Sequence, residues 1–564
     1  MDFEAILKEV GPFGRYQKCV LLLFSLLILV NTTHLYIQVF SSGKDVHWCK
    51  SWPSDDCSNL VISNPDNCED LKRRLSIPKT NNGEVNNGSG GYDQCTKYNV
   101  SGIDLQTAID LGDDVTKLDV IPCDEGWEYD RSTFPSTIIQ DFELVCGKSY
   151  LPNIAQSAYF VGYLVGSAIA GLAADVVGRR VSLLLNVTAA FAVGLVTMFT
   201  PNIGIFIALR FLMAVAAKGI GLICFVSITE VVSPSKRILV GNVLWIFFAI
   251  GYFVLSGMAK LIANWRLLSL ILTLPYIVLL VILFFFLQES PRWLLLRNDS
   301  VKTQQVLTKI ASINRRSAPD EEVVSRGNPD ISENNATFDN LKELIRTPAI
   351  VLIVVNMSFN WMVQNLVFYG LSLSTSSLGI DPYLSFIFSG FVEIPAYICC
   401  IFVAQWSGRK VSTVVTMLLG GLCCCSTALI PIGISRAAVA MGGKFFITMS
   451  YSIVYTWAAE LMPTPLRSSG LGLFSLISRI GSIVAPLILL LEELWGSLPY
   501  LIFGSFALTA GLLCLLLPET KGKPLPSSVD DTKALYKKAK KADDGDEEQN
   551  NGTPSNVSEK PAVA

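Results

Sequence analysis

Twelve apolar stretches, each long enough to cross the hydrocarbon core of a bilayer, constrain this chain more than any other feature. A helix rises about 1.5 Å per residue, so roughly 20 apolar residues span the ~30 Å of lipid tails. Backbone groups at that depth must be satisfied internally, which leaves helices or closed barrels. The stretches lie near 18–40, 151–174, 181–200, 203–232, 239–261, 265–287, 348–368, 383–404, 411–432, 439–462, 468–491 and 498–517. Each is too long for a barrel strand, so the predicted fold is an all-α polytopic membrane protein. With 51% apolar and 16% charged residues, the composition excludes an ordinary soluble protein. The first stretch follows MDFEAILKEVGPFGRYQK and lacks a small-residue cleavage site, so it reads as a retained spanning helix.

Short loops rich in Lys and Arg stay cytoplasmic. Arg179/Arg180, Lys236/Arg237, Arg409/Lys410, Arg467 and Lys521/Lys523 all fall on one side, together with segment 1–17 and the loop 288–347. Both termini are therefore expected in the cytoplasm, with 518–564 as a cytoplasmic tail that is mostly disordered, and the plasma membrane is the expected location. The 288–347 loop contains RNDSVKTQQVLTKIASINRR, whose apolar spacing predicts short amphipathic helices.

Residues 41–148 are the one long segment on the outer side. They hold Cys49, Cys57, Cys68, Cys95, Cys123 and Cys146, six of the chain's fourteen cysteines. An even number facing an oxidising compartment predicts about three disulfides, with the pairing left open. Asn87 (NGS) and Asn99 (NVS) are glycosylation acceptors in the same loop. Its 10 Lys/Arg against 19 Asp/Glu give a net charge of −9, either a plain acidic domain or a means of concentrating cations at an entrance. The remaining cysteines lie in or beside apolar stretches and read as small packing residues.

Sliding the chain by 230 residues superimposes Gly178-Arg179-Arg180 on Gly408-Arg409-Lys410, Glu230 on Glu460, Arg237 on Arg467 and Glu289-Ser290 on Glu519-Thr520. Such a repeat makes two six-helix bundles of the same orientation, related by an axis along the membrane normal and able to rock about a central site.

GLAADVVGRR (Gly171 to Arg180) resembles the loop motif of the major facilitator superfamily, and ESPRWLLL (Glu289 to Leu296) with PETKGKPL (Pro518 to Leu525) resembles the ends of the halves in its sugar and organic ion branches. The six-cysteine loop, GPFGRYQK and AELMPTPLR (Ala459 to Arg467) narrow the resemblance to the organic ion transporters, solute carrier family 22, across roughly residues 1–526. This implies the major facilitator fold: membrane helices 1 (18–40), 2–6 (151–287) and 7–12 (348–517), with the disulfide-bonded loop outside. It implies a monomeric carrier of small organic ions in the lipid bilayer, with a coupling ion left open, no cofactor, no metal and no nucleic acid. A gating set follows at the cytoplasmic corners: Asp175, Arg179, Arg180, Glu230, Arg237, Gln405, Arg409, Glu460 and Arg467. Asp175 is expected to pair with basic residues or a helix dipole across the bundle interface, whereas Gln405 in the second copy makes that latch asymmetric.

Ionisable groups inside spanning helices are costly and face a cavity or a partner. Lys218, Glu393 and Arg479 lie near the midpoints of the fourth, eighth and eleventh stretches. Lys444 and Arg210 lie nearer the outer ends, where Lys444 is expected to snorkel toward water. Two cations and one carboxylate suit a zwitterion or an anion; a cation on Glu393 would draw on aromatic faces. The aromatic candidates are Trp361, Phe368 and Tyr369 on the seventh stretch, Tyr159 and Tyr163 on the second, Tyr36, Trp245, Tyr451 and Tyr455, each alternatively a packing residue. Trp361 leads by resemblance. GKFF, AAEL and SRIGSIVAP resemble the carnitine and related zwitterion carriers, so organic cations or zwitterions such as carnitine-like compounds are expected, with organic anion exchange as the rival. The partner of Arg479 is either a substrate carboxylate or, at rest, Glu393.

Catalysis finds little support: the two histidines, His34 and His47, sit near the outer face, and no GxxxxGK[ST] phosphate cradle exists for ATP-driven transport. Sugar sites use neutral hydrogen-bonding groups rather than midplane charges, and a receptor has no need of a 230-residue repeat.

Overall fold

Each apolar stretch becomes a helix because a helix satisfies its backbone groups within the segment itself. The computed structural model describes residues 3–52, 66–79, 91–317 and 347–534. Its spanning helices are α1 (Arg15–Tyr36), α2 (Leu151–Val177), α3 (Arg179–Thr197), α4 (Ile203–Val231), α5 (Pro234–Leu261), α6 (Trp265–Phe286), α7 (Pro348–Leu373), α8 (Pro382–Ser407), α9 (Arg409–Leu429), α10 (Ile434–Leu461), α11 (Arg467–Leu489) and α12 (Leu498–Leu513). Polar residues start several of them: Asn202 accepts from Ile205 N–H, Asn264 from Arg266 and Leu267, and Asp381 from Tyr383 and Leu384, pairing donors otherwise orphaned at a helix start.

Small residues let particular helices come close. A methyl group on Gly162 or Gly166 of α2 would run into the Phe211 and Val215 carbonyls of α4, and one on Gly481 of α11 into the Met362 carbonyl of α7. These two contacts set Tyr159 and Tyr163 beside the helix that carries Lys218, and Tyr369 beside the helix that carries Arg479.

The 230-residue repeat extends to individual atoms. Glu289 Oε1 accepts the Arg179 and Arg180 N–H groups at 2.8 and 3.1 Å, and Glu519 accepts those of Arg409 and Lys410, each at 2.9 Å. Arg179 pairs with Glu230 at 3.0 Å and Arg409 with Glu460 at 2.9 Å. Arg237 Nε donates to the Thr229 carbonyl and Arg467 Nε to its repeat equivalent, the Ala459 carbonyl. Gly178 and Gly408, at φ +106° and +88°, let the backbone turn the corner so tightly that a Cβ would meet the Glu289 and Glu519 carboxylates.

The loop after α1 builds two short antiparallel ribbons, His47–Cys49 with Trp127–Tyr129 and Thr96–Tyr98 with Val120–Pro122. Trp52, Tyr98, Val100, Leu105 and Val115 form its own small core. Cys49 is bonded to Cys123 and Cys95 to Cys146. Asn99 is exposed; Cys57, Asn87 and the Cys68 side chain lie outside the described residues.

On the opposite face, helices Pro291–Leu296 and Ser300–Asn314 follow α6. Asn314 bonds the Tyr16 N–H and the Val10 carbonyl, docking this pair against the start of α1. The tail is ordered further than expected: residues 529–534 are helical. Asp531 accepts from the Ser527 and Ser528 N–H groups, and Val529 packs against a core of the second half. Residues 535–564 lie outside the described residues.

Candidate substrate site

The buried charges form two groups rather than one set of three: Glu393 with Lys444, and Arg479 near Lys218. Lys444 does not snorkel: it is fully buried, and its Nζ lies 2.8 Å from Glu393 Oε1, itself fully buried. α10 begins at Ile434, and the Lys444 side chain turns onto Glu393 of α8 inside the bundle instead of running toward the helix end. Lys444 also donates to Ser389 Oγ and lies over the Tyr252 and Phe368 rings at 4.7 and 5.3 Å. The resting ion pair considered for Arg479 is therefore made by Lys444 instead.

Arg479 is buried on α11 and Lys218 half-buried on α4. They lie within electrostatic reach of one another, and Arg479 also of Tyr163, Tyr369 and Tyr455. Among the described residues neither cation has a carboxylate in ion-pair contact. With Glu393 neutralised by Lys444, this part of the centre is positive, surrounded by phenol groups that can donate or accept.

The aromatic candidates group in space. Tyr159 and Tyr163 are 5.1 Å apart, Phe368 stacks on Tyr451 at 5.9 Å, and Trp361 lies 5.1 Å from Tyr455. Trp361 is buried while Tyr455 is 54% exposed. Trp245 is 43% exposed and lies 6.2 Å from Tyr397 of α8. Tyr36 is fully buried and belongs to a seal instead: it lies 4.7 Å from Tyr252, which stacks on Phe386 at 4.8 Å.

That seal joins the halves on the face that carries the large loop. Phe40 stacks on Tyr383 at 5.1 Å, Phe160 lies 4.8 Å from Tyr369, Ser157 donates to the Ile483 carbonyl, and Lys44 pairs with Glu493 at 3.3 Å. On the opposite face, among the described residues, the contacts of Arg179, Glu230, Arg409 and Glu460 stay within their own halves. Asp175, mostly exposed, pairs with Arg179 one turn away at 3.1 Å rather than across the interface; a molecule held shut on the loop face does not bring the opposite corners together. Arg180 donates to the Phe284 carbonyl, and Gln405 is exposed.

Two groups escaped the sequence reading. Asn356, Asn360, Gln364 and Asn365 make a buried polar stripe on α7: Gln364 donates to Ser450 Oγ at 3.1 Å, Ser482 donates to Asn365 Oδ1 at 3.3 Å and Asn356 to the Leu513 carbonyl at 2.7 Å. The four-residue spacing of Asn356, Asn360 and Gln364 in NMSFNWMVQN was the available signal, since it places those amides on one helix face. Tyr252 and Phe386 carried no signal, because an aromatic in an apolar run has no sequence mark of position.

Comparison with known proteins agrees with this architecture. Residues 128–528 match the family described as sugar (and other) transporter. Solute carrier family 22 member 13 of Homo sapiens is 35% identical over 535 residues, covering 94% of this chain and 93% of that protein. Member 3 of Rattus norvegicus is 31% identical, with 94% and 96% covered, and member 6 of Oryctolagus cuniculus 30% identical, with 94% of each covered. Among solved structures, the inward open conformation of the xylose transporter XylE from E. coli aligns with a TM-score of 0.54 at 16% identity, over 69% of this chain and 90% of that one, a likeness of fold. The chain thus belongs to the sugar (and other) transporter family, with the major facilitator fold, and within it to solute carrier family 22.

Proposed function

We propose that this chain is a polyspecific carrier that moves small organic ions across the membrane by alternating access, and that its preferred substrates bear a carboxylate. The carrying observation is the distribution of buried charge: Glu393 is already neutralised by Lys444 at 2.8 Å, which leaves Arg479 and Lys218 to receive an anionic group. The names of the relatives and the transport description of the family support the class; an enzymatic role has no support. Carnitine-like zwitterions, the leading expectation from the sequence, now stand second to purely anionic carboxylates; they are favoured by the Phe368, Tyr451, Trp361 and Tyr455 rings, whose faces suit an ammonium beside a carboxylate on Arg479.

In this reading, closure on the loop face is the state open to the cytoplasm, with both termini cytoplasmic, the disulfide-bonded loop outside the plasma membrane and the chain acting as a monomer. The gating role falls to the paired corners at Arg179–Glu230 and Arg409–Glu460. The test is uptake of labelled para-aminohippurate, carnitine and tetraethylammonium by cells expressing the wild type or Arg479→Asp, with surface expression measured in parallel. Carboxylate uptake is expected in the wild type and lost in the variant. Unchanged carboxylate uptake by a normally trafficked Arg479→Asp protein would sink the assignment.

A further inference from the structure

The first half holds a buried charge that nothing in the transport cycle described above uses. Arg210 of α4 is 4% exposed. It donates to the His34 carbonyl and to Gln156 Oε1, each at 2.7 Å, and lies over the Tyr159 ring at 4.2 Å. Among the described residues no carboxylate is in ion-pair contact with it, and its Nε–H has no hydrogen-bond partner. A buried cation without a counter-charge is unfavourable, more so within a membrane.

Arg210 lines a small cavity between α1, α3, α4 and α6 toward the loop face, with Ser41, Thr197, Trp265 and Ser269. The centre of a water-sized sphere can range over about 20 Å³ there, more than the ~10–15 Å³ a single water requires. The Ser41 hydroxyl is also buried without a partner. Two orphaned donors, one of them charged, therefore belong to the walls of one space. The acid beside it, Asp141, is engaged by Trp265 Nε1 at 2.9 Å and Arg266 Nε at 3.2 Å.

We propose that this cavity binds a small inorganic anion of halide size, with Arg210 and Ser41 as donors, at a site separate from Arg479. The guanidinium disfavours cations, and the space is too small for an organic acid. An anion here would act on the seal: Arg210 ties His34 to Gln156, Gln156 Nε2 donates to the Leu35 carbonyl at 3.3 Å, and the next residue, Tyr36, is part of the aromatic closure.

The experiment follows the thermal midpoint of the full chain in lipid nanodiscs as gluconate is replaced by chloride at constant ionic strength. The wild type should show a saturable rise, retained in Arg479→Gln. In Arg210→Met the half-saturating chloride concentration should increase about tenfold or more, the size expected for losing a charge-assisted hydrogen bond. Should that variant not fold, Ser41→Val supplies the test, with an expected increase of about three- to tenfold from one neutral hydrogen bond. The proposal is overturned by a wild type without a saturable response, by unchanged responses in Arg210→Met and Ser41→Val, or by loss of the response in Arg479→Gln, which would place the anion at the central site.

Discussion

Removing one partner of the Glu393–Lys444 pair should be more damaging than removing both, and the two single losses should differ. At 2.8 Å, two unit charges attract by about 6 kcal/mol at an effective dielectric near 20, while desolvation of each ion costs several kcal/mol. The intact pair is thus close to neutral for stability, but a single survivor is left uncompensated at roughly 3–5 kcal/mol. The survivors are not equivalent. Lys444 without Glu393 keeps Ser389 Oγ and the faces of Tyr252 and Phe368, each ring worth up to ~2 kcal/mol when desolvated. Glu393 without Lys444 has no hydrogen bond to either carboxylate oxygen. Lys444→Met should therefore destabilise more than Glu393→Gln, and the double variant should recover most of the loss. Thermal denaturation of the four purified proteins in one detergent forms a double-mutant cycle. Additive effects, or a Glu393→Gln protein less stable than Lys444→Met, would refute the reasoning.

Three further outcomes are expected. Glu289→Ala and Glu519→Ala should each destabilise by at least roughly 1.5–3 kcal/mol, since Glu289 accepts charged bonds from three backbone N–H groups and Glu519 from four, and the loss at Glu519 should be equal or larger in the same denaturation assay. Asp45, at the junction of α1 and the loop, is pushed up to about 7, first by burial and then by Asp130. A carboxyl raised in the folded state is destabilising when ionised, so Asp45→Asn should raise the thermal midpoint at pH 8, an advantage that starts to shrink as the pH falls below about 7 and disappears toward the ordinary carboxylate range; an advantage that grows toward pH 5 would contradict the assignment. Cys95→Ser should free the loop from Cys146, whose 3-10 turn leads into α2, and lower surface expression far more than Cys423→Ser, read by surface biotinylation.

Much of the architecture was legible because lipid leaves the chain little choice. Length and apolarity gave the twelve helices, and the corner residues of the repeat, from Gly178 to Glu519, marked equivalent positions in the two halves, although which of them touch was not written in the sequence. The charged centre was legible only in part. Residues Lys218, Glu393 and Arg479 stand out against apolar neighbours, but depth along a helix says nothing about rotation around it, and Lys444 was misplaced for that reason. Pairing among four charges on helices α4, α8, α10 and α11 depends on tertiary packing, which one sequence does not record. Disulfide connectivity in the loop was likewise open to several solutions until the strands brought Cys49 to Cys123 and Cys95 to Cys146.

Tyr252 belongs to the first half, yet its ring covers an ion pair made wholly within the second. When the halves separate on the loop face, that ring must leave with α5 and water must reach Glu393 and Lys444. The same two charges would then attract each other several-fold less, because the medium between them has changed rather than their distance. The pair is in effect a solvent gauge: tight and inert in the closed state, loosened and available to a charged visitor once the gate on that side opens.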